Sequence, residues 1–356
     1  MDTKSSFFDA IALLKQLISI PSISGEEERL ADFLEFKLRE KKYFPQRKGN
    51  NIWLQSPKWD DNKPTILLNS HIDTVKPVST WTKDPFFPFE ENGKIYGLGS
   101  NDAGASLVSL LQVFLILTQS QQENNFVFLA SCEEEISGKN GVESVLPYLP
   151  HIDFGIVGEP TSMQPAIAEK GLLVIDGTVY GKAGHAAREE GENAIYKAIP
   201  VIEWFRNKSF PKISPLLGSV KMTVSCIQAG IQHNIIPDEC RFTVDIRSNE
   251  FYSNNEIFEE IHSTCGVEVK ARSFRLNSSR ISMEHPFVKR AIYLGMSPFG
   301  SQTLSDQTFM NFPTVKIGAG ESSRSHTADE YVFIKEIANA ISLYSSLLND
   351  LKISRT

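Results

Sequence analysis

The chain has 356 residues and a formal net charge of -7; 41% of its residues are hydrophobic and 22% are charged. This composition is typical of a folded globular protein, and the length predicts one larger domain together with a smaller one. The negative charge argues against nucleic acid or an anionic membrane surface as a partner, because either polyanion would be repelled. The longest apolar stretch, residues 107–117, is shorter than the roughly 20 residues that cross a bilayer, so we expect a buried helix there.

The cysteines and the first residues indicate the cellular compartment. Four cysteines occur without Cys-x-x-Cys spacing, which predicts neither a zinc knuckle nor a disulfide framework and favours a reducing cytosol. Charged residues interrupt the N-terminal apolar positions within a dozen residues, unlike a signal peptide. Phe7, Ile11, Leu14 and Ile18 instead recur at helical spacing. We therefore expect a cytoplasmic protein whose first element is a helix.

Residues 1–169 alternate short apolar runs with amphipathic stretches, a pattern typical of a mostly parallel β-sheet flanked by helices. The clearest buried strands are predicted at residues 65–68, 126–130 and 154–157. Ligands of such sheets bind outside the carboxyl ends of the strands. Polar side chains that directly follow these runs are therefore the first candidates for a functional site.

The pattern changes between residues 170 and 282. Strands are predicted at residues 172–180, 219–228, 240–247 and 267–274, and helices at 193–207 and 255–264. This order is that of a ferredoxin-like α+β domain, in which helices cover one face of an antiparallel sheet. A helix opened by His285-Pro286-Phe287 and a buried parallel strand at 313–317 then return to the first pattern. We expect residues 1–169 and 283–356 to form one α/β domain, with residues 170–282 inserted in it.

Acidic and histidine side chains cluster behind the apolar runs of the larger domain. They are His71, Asp73, Asp102, Glu133, Glu134, Glu135, Glu159 and His326. Carboxylates delivered to one rim of a sheet repel one another unless a cation neutralises them. The pattern predicts a metal site, with two ions as the favoured number.

Each of these motifs also has a simpler interpretation. His71 and Asp73 have the spacing of a metal ligand and a carboxylate partner, but such a pair can also cap a turn. Asp102 follows a glycine-rich loop, where a carboxylate can bridge two cations, but taken alone this position favours a helix N-cap. The glutamates at 133–135 are either an exposed acidic run or, behind a buried strand, a metal ligand beside a general base. Glu159 is either a ligand or a residue of a proline-containing turn.

Five motifs occur along the chain in a recognisable order. They are His71-x-Asp73, Gly-Leu-Gly-Ser-Asn-Asp102, Glu134-Glu135, Gly-Glu159-Pro-Thr and Ser-His326-Thr-Ala-Asp-Glu-Tyr. Together with the inserted domain, this order resembles the co-catalytic zinc deacylase and carboxypeptidase family, which includes acetylornithine deacetylase, succinyl-diaminopimelate desuccinylase, aminoacylase and carboxypeptidase G. The resemblance covers essentially the whole chain and implies a zinc aminopeptidase-like fold for the larger domain.

The resemblance implies two zinc ions per subunit, with Co2+ or Mn2+ as alternative metals. It implies that Asp102 bridges the two ions. His71 and Glu159 would complete one metal position, and Glu135 and His326 the other.

The resemblance also implies roles for residues that are not metal ligands. Glu134 would be the general base, and Asp73 would be the partner of His71. In the inserted domain, His185 of a Gly-x-x-Gly-His turn would stabilise the oxyanion, and Asn234 and Arg247 would contact the substrate's carboxylate. From sequence alone, His185 and Arg247 are equally typical of surface residues. The inserted domain would act as a lid and join two subunits into a homodimer.

These implications lead to a metal-dependent hydrolase that cleaves the amide bond of a small N-acyl amino acid. The expected enzyme is an acetylornithine deacetylase, or a succinyl-ornithine or succinyl-diaminopimelate desuccinylase relative, of amino-acid and specifically arginine biosynthesis. A dipeptidase or carboxypeptidase of the same family is an alternative, because it also cleaves an amide beside a free carboxylate. A non-catalytic metal-binding protein on this fold is a second alternative, although it would have little need for Glu134 beside an intact ligand set.

Overall fold

The computed structural model describes residues 3–188 and 190–355. The helices in these residues are α1 (Thr3–Ile18), α2 (Glu28–Glu40), α3 (Ala105–Leu117), α4 (Val142–Val145), α5 (Ala194–Asn207), α6 (Asn254–Thr264), α7 (Pro286–Tyr293) and α8 (Ile334–Leu348). The strands are β1 (Gln46–Lys48), β2 (Asn51–Gln55), β3 (Thr65–His71), β4 (Phe89–Glu91), β5 (Lys94–Tyr96), β6 (Asn125–Ser131), β7 (Phe154–Val157), β8 (Ala166–Glu169), β9 (Leu173–Tyr180), β10 (Gly184–His185), β11 (Lys221–Ala229), β12 (Ile235–Ile236), β13 (Glu239–Arg247), β14 (Glu268–Ala271), β15 (Ser279–Arg280), β16 (Phe299–Ser301), β17 (Thr314–Lys316) and β18 (Tyr331–Phe333).

These elements form two compact units. The first unit comprises residues 1–167, 281–299 and 305–356, and the second comprises residues 168–280 and 300–304. The second unit is therefore formed by one long segment and by a separate segment of five residues, both inserted in the sequence of the first unit. The domain borders predicted after residues 169 and 282 each lie two residues from the ends of the long segment, residues 168–280.

The first unit contains a mixed sheet with the strand order β1-β2-β6-β3-β7-β17-β8. Its four central strands, β6, β3, β7 and β17, run parallel, and every residue in them is buried. The flanking strands are antiparallel. Continuous apolar runs correctly predicted the central strands, because a parallel strand covered on both faces has no solvent side. The predicted α/β class is thus confirmed, with parallel pairing confined to the centre.

Helix α3 lies at the core of the first unit, against β3 and β6 and between α1 and α8. The segment Ser100–Leu117 is long and apolar enough to cross a membrane by length and composition, but 89% of it is buried within the structure, as a core helix would be. The start of α3 approaches the strand ends closely. A Cβ atom on Gly318 would lie 2.2 Å from the Ser106 Oγ atom, so only glycine fits at that position.

The second unit contains an antiparallel sheet with the strand order β11-β13-β9-β14. Its apolar core includes buried residues of these strands and of α5 and α6. Asn193 caps α5 with its side chain, and a capping box of Ser253 and Glu256 opens α6. Each predicted strand and helix of this region is present, with ends shifted by at most three residues. The strand and helix order is therefore the ferredoxin-like order that the sequence predicts.

A small sheet formed by β4, β5 and β18 was not predicted. Each of its strands has three residues, which is too short for alternation of polar and apolar residues to be recognised in the sequence. Its strand β18 directly follows Glu330, so the sheet fixes the end of the loop that carries His326.

Candidate metal centre

Neighbouring strand ends bring the predicted ligands of the first unit together. His71 is the last residue of β3 and pairs in register with Ser131, the last residue of β6. The turn that follows β6 carries Glu134 and Glu135. Glu159 lies two residues beyond β7, which pairs with β3 on its other side. Because these strands are parallel, their carboxyl ends open at one edge of the sheet.

The two oxygen atoms of Asp102 face two different histidines. Asp102 Oδ1 lies 3.2 Å from His71 Nε2, while Oδ2 lies 3.6 Å from His326 Nε2. Glu159 Oε1 lies 3.7 Å from the same His71 nitrogen, and Glu135 Oε2 lies 2.9 Å from the same His326 nitrogen. The arrangement thus contains two groups, each with one histidine and one glutamate, that share the carboxylate of Asp102. Asp102 does not cap α3, because no side-chain hydrogen bond caps that helix.

The hydrogen bonding of His71 orients a lone pair toward carboxylates. Its Nδ1 atom lies 2.9 Å from the carbonyl oxygen of Asp73, an acceptor, so the ring hydrogen of a neutral imidazole belongs on Nδ1. Nε2 then presents a lone pair to the oxygen atoms of Asp102 and Glu159. A lone pair facing carboxylate oxygens is repulsive unless a proton or a metal ion lies between them.

Burial and this crowding raise the pKa values of Glu159 and Glu134. Burial, together with the negative charge of Asp102, raises the pKa of Glu159 well above its usual value. Burial and the charge of Glu159 do the same to the pKa of Glu134. Glu159 Oε1 is also buried without a hydrogen-bond partner among the described residues. Such a group is costly unless something binds it.

The same carboxylates raise the pKa values of the two histidines. Burial alone would lower the pKa of His71, but hydrogen bonds to Asp102 and Asp73 outweigh it, so this pKa lies well above its usual value. A hydrogen bond to Glu135 raises the pKa of His326 to about 9. The carboxylates therefore favour a positive charge at the nitrogen atoms of both histidines.

These residues fit a pair of divalent cations. Imidazole nitrogen together with carboxylate oxygen is a common donor set for zinc in proteins. Atoms of His71, Asp102 and Glu135 lie within 4.8 Å of one another, and the same holds for atoms of His71, Glu134 and Glu159. Distance alone therefore does not separate Glu134, the predicted base, from the predicted ligands.

Asp73 faces His71 with both its carbonyl oxygen and its carboxylate. Its carbonyl oxygen is closer to His71 Nδ1 than its carboxylate is, at 2.9 Å against 3.5 Å. The carboxylate also accepts hydrogen bonds from the backbone N–H groups of Glu134 and Glu135, at 3.0 and 3.1 Å, and from the hydroxyl of Ser24. Asp73 therefore orients His71 mainly through its backbone and holds the two glutamates through its side chain.

Three further buried carboxylates support the site, and the sequence did not predict this role for them. Glu27 accepts the backbone N–H of Glu133 at 3.2 Å, and Asp306 accepts hydrogen bonds from Asn69 and Ser131 near the ends of β3 and β6. Burial raises the pKa of Asp306 to about 6. Glu330 is the third, and burial raises its pKa to about 8.

Of these three residues, only Glu330 could have been recognised in the sequence, because it is part of the motif Ser-His326-Thr-Ala-Asp-Glu-Tyr. Glu27 belongs to a run of three glutamates that is indistinguishable from an exposed surface segment.

Two of the predicted substrate-handling residues lie side by side in the second unit. His185 in β10 pairs with Ile235 in β12, and the N–H of Ala186 donates to the carbonyl of Asn234. His185 Nδ1 accepts the N–H of Ala187, so a neutral ring carries its hydrogen on Nε2. Asn234 Oδ1 is buried without a partner among the described residues.

Arg247, the third predicted residue, is already paired. Its Nε and one terminal nitrogen donate to the two carboxylate oxygens of Asp245 at 2.8 and 3.0 Å. One edge of the guanidinium is therefore engaged within β13, and the edge formed by the two terminal nitrogens keeps N–H donors for another acceptor.

Comparison with known proteins identifies the family. The sequence profile of peptidase family M20/M25/M40 matches residues 67–350, and the chain belongs to this family. The chain is 25% identical to a succinyl-diaminopimelate desuccinylase of Corynebacterium glutamicum and 27% identical to an acetylornithine deacetylase of Proteus mirabilis, with 96% of both chains covered in each comparison. The crystal structure of the aminopeptidase PepT of Bacillus cereus has the same fold, with a TM-score of 0.79, 18% identity, and 96% of this chain and 98% of that chain covered.

His326 provides a direct test of the second ligand group. We expect His326→Ala to lower the zinc bound per chain from two ions toward one, because it removes the only imidazole of that group among the described residues. Zinc is measured by mass spectrometry after dialysis against a zinc buffer. The matched control is His151→Ala, since both side chains are about half exposed and both have a carboxylate nearby, at 2.9 Å for His326 and 3.3 Å for His151. Equal zinc content in the two variants would remove His326 from the ligand set.

Proposed function

We propose that this member of peptidase family M20/M25/M40 is a dizinc amidohydrolase that removes the acyl group from a small N-acyl amino acid. The observation that carries the proposal is the carboxylate of Asp102, whose two oxygens face two histidine-glutamate pairs beside Glu134. Two relatives that align with 96% of the chain are named for the removal of succinyl and acetyl groups.

The proposed chemistry divides between the ions and the chain. Bound by Asp102 and the two flanking pairs, two divalent ions would polarise the substrate carbonyl and lower the pKa of a water molecule. The carboxylate of Glu134 accepts a proton from the attacking water and passes it to the nitrogen of the amide. The C–N bond then breaks, releasing the carboxylic acid and the free amine.

Glu134 is held in place for this task by its neighbours. The backbone N–H groups of Glu133, Glu134 and Glu135 each donate to a carboxylate, the first to Glu27 and the other two to Asp73. A fixed backbone limits the movement of the base during proton transfer, which is what preorganised catalysis requires.

For the second unit, we propose that it serves as a lid and as the contact surface of a homodimer. His185 would donate from Nε2 to the oxyanion of the reacting amide, and Asn234, directly before the adjacent strand β12, would contact the substrate. Arg247 would contact the substrate carboxylate through the guanidinium edge that Asp245 does not occupy. A cytoplasmic location accords with four cysteines that are all free thiols.

The first test separates metal binding from chemistry. Glu134→Gln keeps the size of the side chain but removes the proton acceptor, so kcat should fall by at least ~100-fold while zinc content stays at the wild-type level. Glu133→Gln is the matched control, because its side chain hydrogen-bonds to Asn140 and has no proposed part in the reaction. Retention of most turnover in Glu134→Gln would show that another group is the base.

A substrate panel tests the proposed specificity. N-acetylornithine, N-succinylornithine, N-succinyl-diaminopimelate and simple dipeptides are compared by kcat/KM in the zinc-loaded protein. We expect one of the acyl amino acids to exceed every dipeptide by at least ~10-fold, since one chemical group in a pocket is worth about 1–3 kcal/mol. A dipeptide at the top would make the protein a dipeptidase, and hydrolysis of none would favour the binding-protein alternative.

Subunit mixing tests the role of His185 and of the dimer. His185→Ala and Glu134→Gln are each expected to be nearly inactive, and exchange of subunits would create some sites with both residues intact if His185 acts on its partner's site. Recovery of activity after mixing is the expected result. His233→Ala, a substitution at an exposed histidine of the same unit, mixed with Glu134→Gln, gives the reference for retained activity. No recovery despite demonstrated exchange excludes action across the interface, and an active monomer excludes the dimer proposal.

A further inference from the structure

Two loops that carry predicted ligands hold each other by hydrogen bonds in both directions. The first loop, residues 99–102, carries Asp102, and the second loop, residues 320–330, carries His326. Both lie in the first unit. Neither loop belongs to the parallel sheet, so the pairing of the parallel strands does not fix the distance between these two ligands. The small sheet joins the loops only at one end, through β5 and β18.

From the first loop, the side chain of Asn101 reaches the second. Its Oδ1 atom accepts the N–H of Glu321 at 2.9 Å, and its Nδ2 atom donates to the carbonyl of Glu321 at 3.1 Å and to the hydroxyl of Ser325 at 3.3 Å. Asn101 is fully buried. The fit is close, since a Cβ atom on Gly320 would lie 2.3 Å from Asn101 Oδ1.

From the second loop, the side chain of Glu330 reaches the first. Glu330 Oε1 accepts the backbone N–H groups of Asn101 and Asp102 at 2.8 and 2.9 Å, and Oε2 accepts the N–H of Gly99 at 3.1 Å. Only 2% of Glu330 is exposed. A buried carboxyl group with three backbone donors on one loop is a strong restraint, because separating the loops would leave three buried N–H groups without an acceptor.

The first ligand pair is positioned in another way. His71 belongs to β3, and Glu159 follows β7, which is hydrogen-bonded to β3. The ladder between these strands positions both residues without the hydrogen bonds of Asn101 and Glu330. The second pair has only the short ladder between β5 and β18, which joins the two loops at one end. His326 lies five residues before β18, so it depends on its loop for its place beside Asp102 and Glu135.

We propose that Asn101 and Glu330 form a clasp of positioning residues that controls occupancy of the metal position at Glu135 and His326, while leaving the position at His71 and Glu159 largely intact. The inference rests on the proposed two-ion site. Without the clasp, Asp102 still faces His71, but its second oxygen and His326 are no longer held at a fixed separation. Loss of an outer hydrogen-bond partner of this kind commonly weakens metal binding 10–100-fold.

The test is a zinc titration of Glu330→Gln against a competing chelator of known affinity. The glutamine amide places a donor opposite the N–H of Gly99, so the clasp opens with little change in volume. We expect the second dissociation constant to rise by at least ~10-fold and the first by less than ~3-fold. Circular dichroism is compared with that of the wild type to check the fold.

The matched control is Asp329→Asn, in the same loop. The side chain of Asp329 accepts hydrogen bonds from Thr82 and from the backbone of Lys83 and makes none to residues 99–102 among the described contacts. It should leave both dissociation constants within ~3-fold of the wild type. Ser325→Ala removes the hydroxyl that accepts a hydrogen bond from Asn101 and is the milder variant. We expect it to weaken binding of the second ion only, and by less than Glu330→Gln does.

The outcomes distinguish the clasp from the proposed function. If the wild type binds two ions and Glu330→Gln binds both unchanged, or weakens both equally, the clasp is wrong and the two-ion site stands. If Glu330→Gln does not fold, Ser325→Ala decides, and unchanged binding of the second ion overturns the inference. A wild type that binds fewer than two ions overturns the two-ion site and the clasp with it.

Discussion

Repulsion among buried carboxylates is the constraint on which the first unit depends. Asp102, Glu134, Glu135 and Glu159 approach the same small volume, and burial removes the water that would otherwise screen them. The same carboxylates raise the pKa values of His71 and His326, so a positive charge at either histidine is favoured. The site therefore has the electrostatics of a cation-binding centre, and the supporting carboxylates at Asp73, Glu27 and Glu330 keep its backbone from relaxing away.

The sequence predicted the elements whose signal is local. Apolar runs located the four parallel strands, and their direction implied that the residues behind them, such as His71 and Glu159, meet at one edge. Strand and helix periods also located the elements of the second unit. Supporting residues were not predicted, because their partners are distant in the chain: Glu27 bonds to a residue 106 positions away, and Glu330 to one 229 positions away. No local pattern distinguishes a glutamate with such a partner from one exposed to solvent.

Asp73 shows that correct proximity does not fix a contact. A two-residue spacing placed it beside His71, but the strand end turned its carbonyl to the imidazole and its carboxylate to the glutamate turn. Arg247 shows the same limit in the second unit, where a neighbouring aspartate on the same strand engages one edge of the guanidinium that the resemblance assigned to substrate. By contrast, the ribbon of β10 and β12 brings His185 and Asn234 together, which makes these two candidates for substrate contact in that unit.

The central claim is that one aspartate joins two metal positions, and anomalous diffraction at the zinc absorption edge tests it most directly. Crystals grown with zinc should show two peaks roughly 3.5–4 Å apart, with Asp102 between them. Ligand contacts of about 2.0–2.3 Å are expected, from His71 and Glu159 to one ion and from Glu135 and His326 to the other. A single peak, or two peaks that do not share Asp102, would contradict the account.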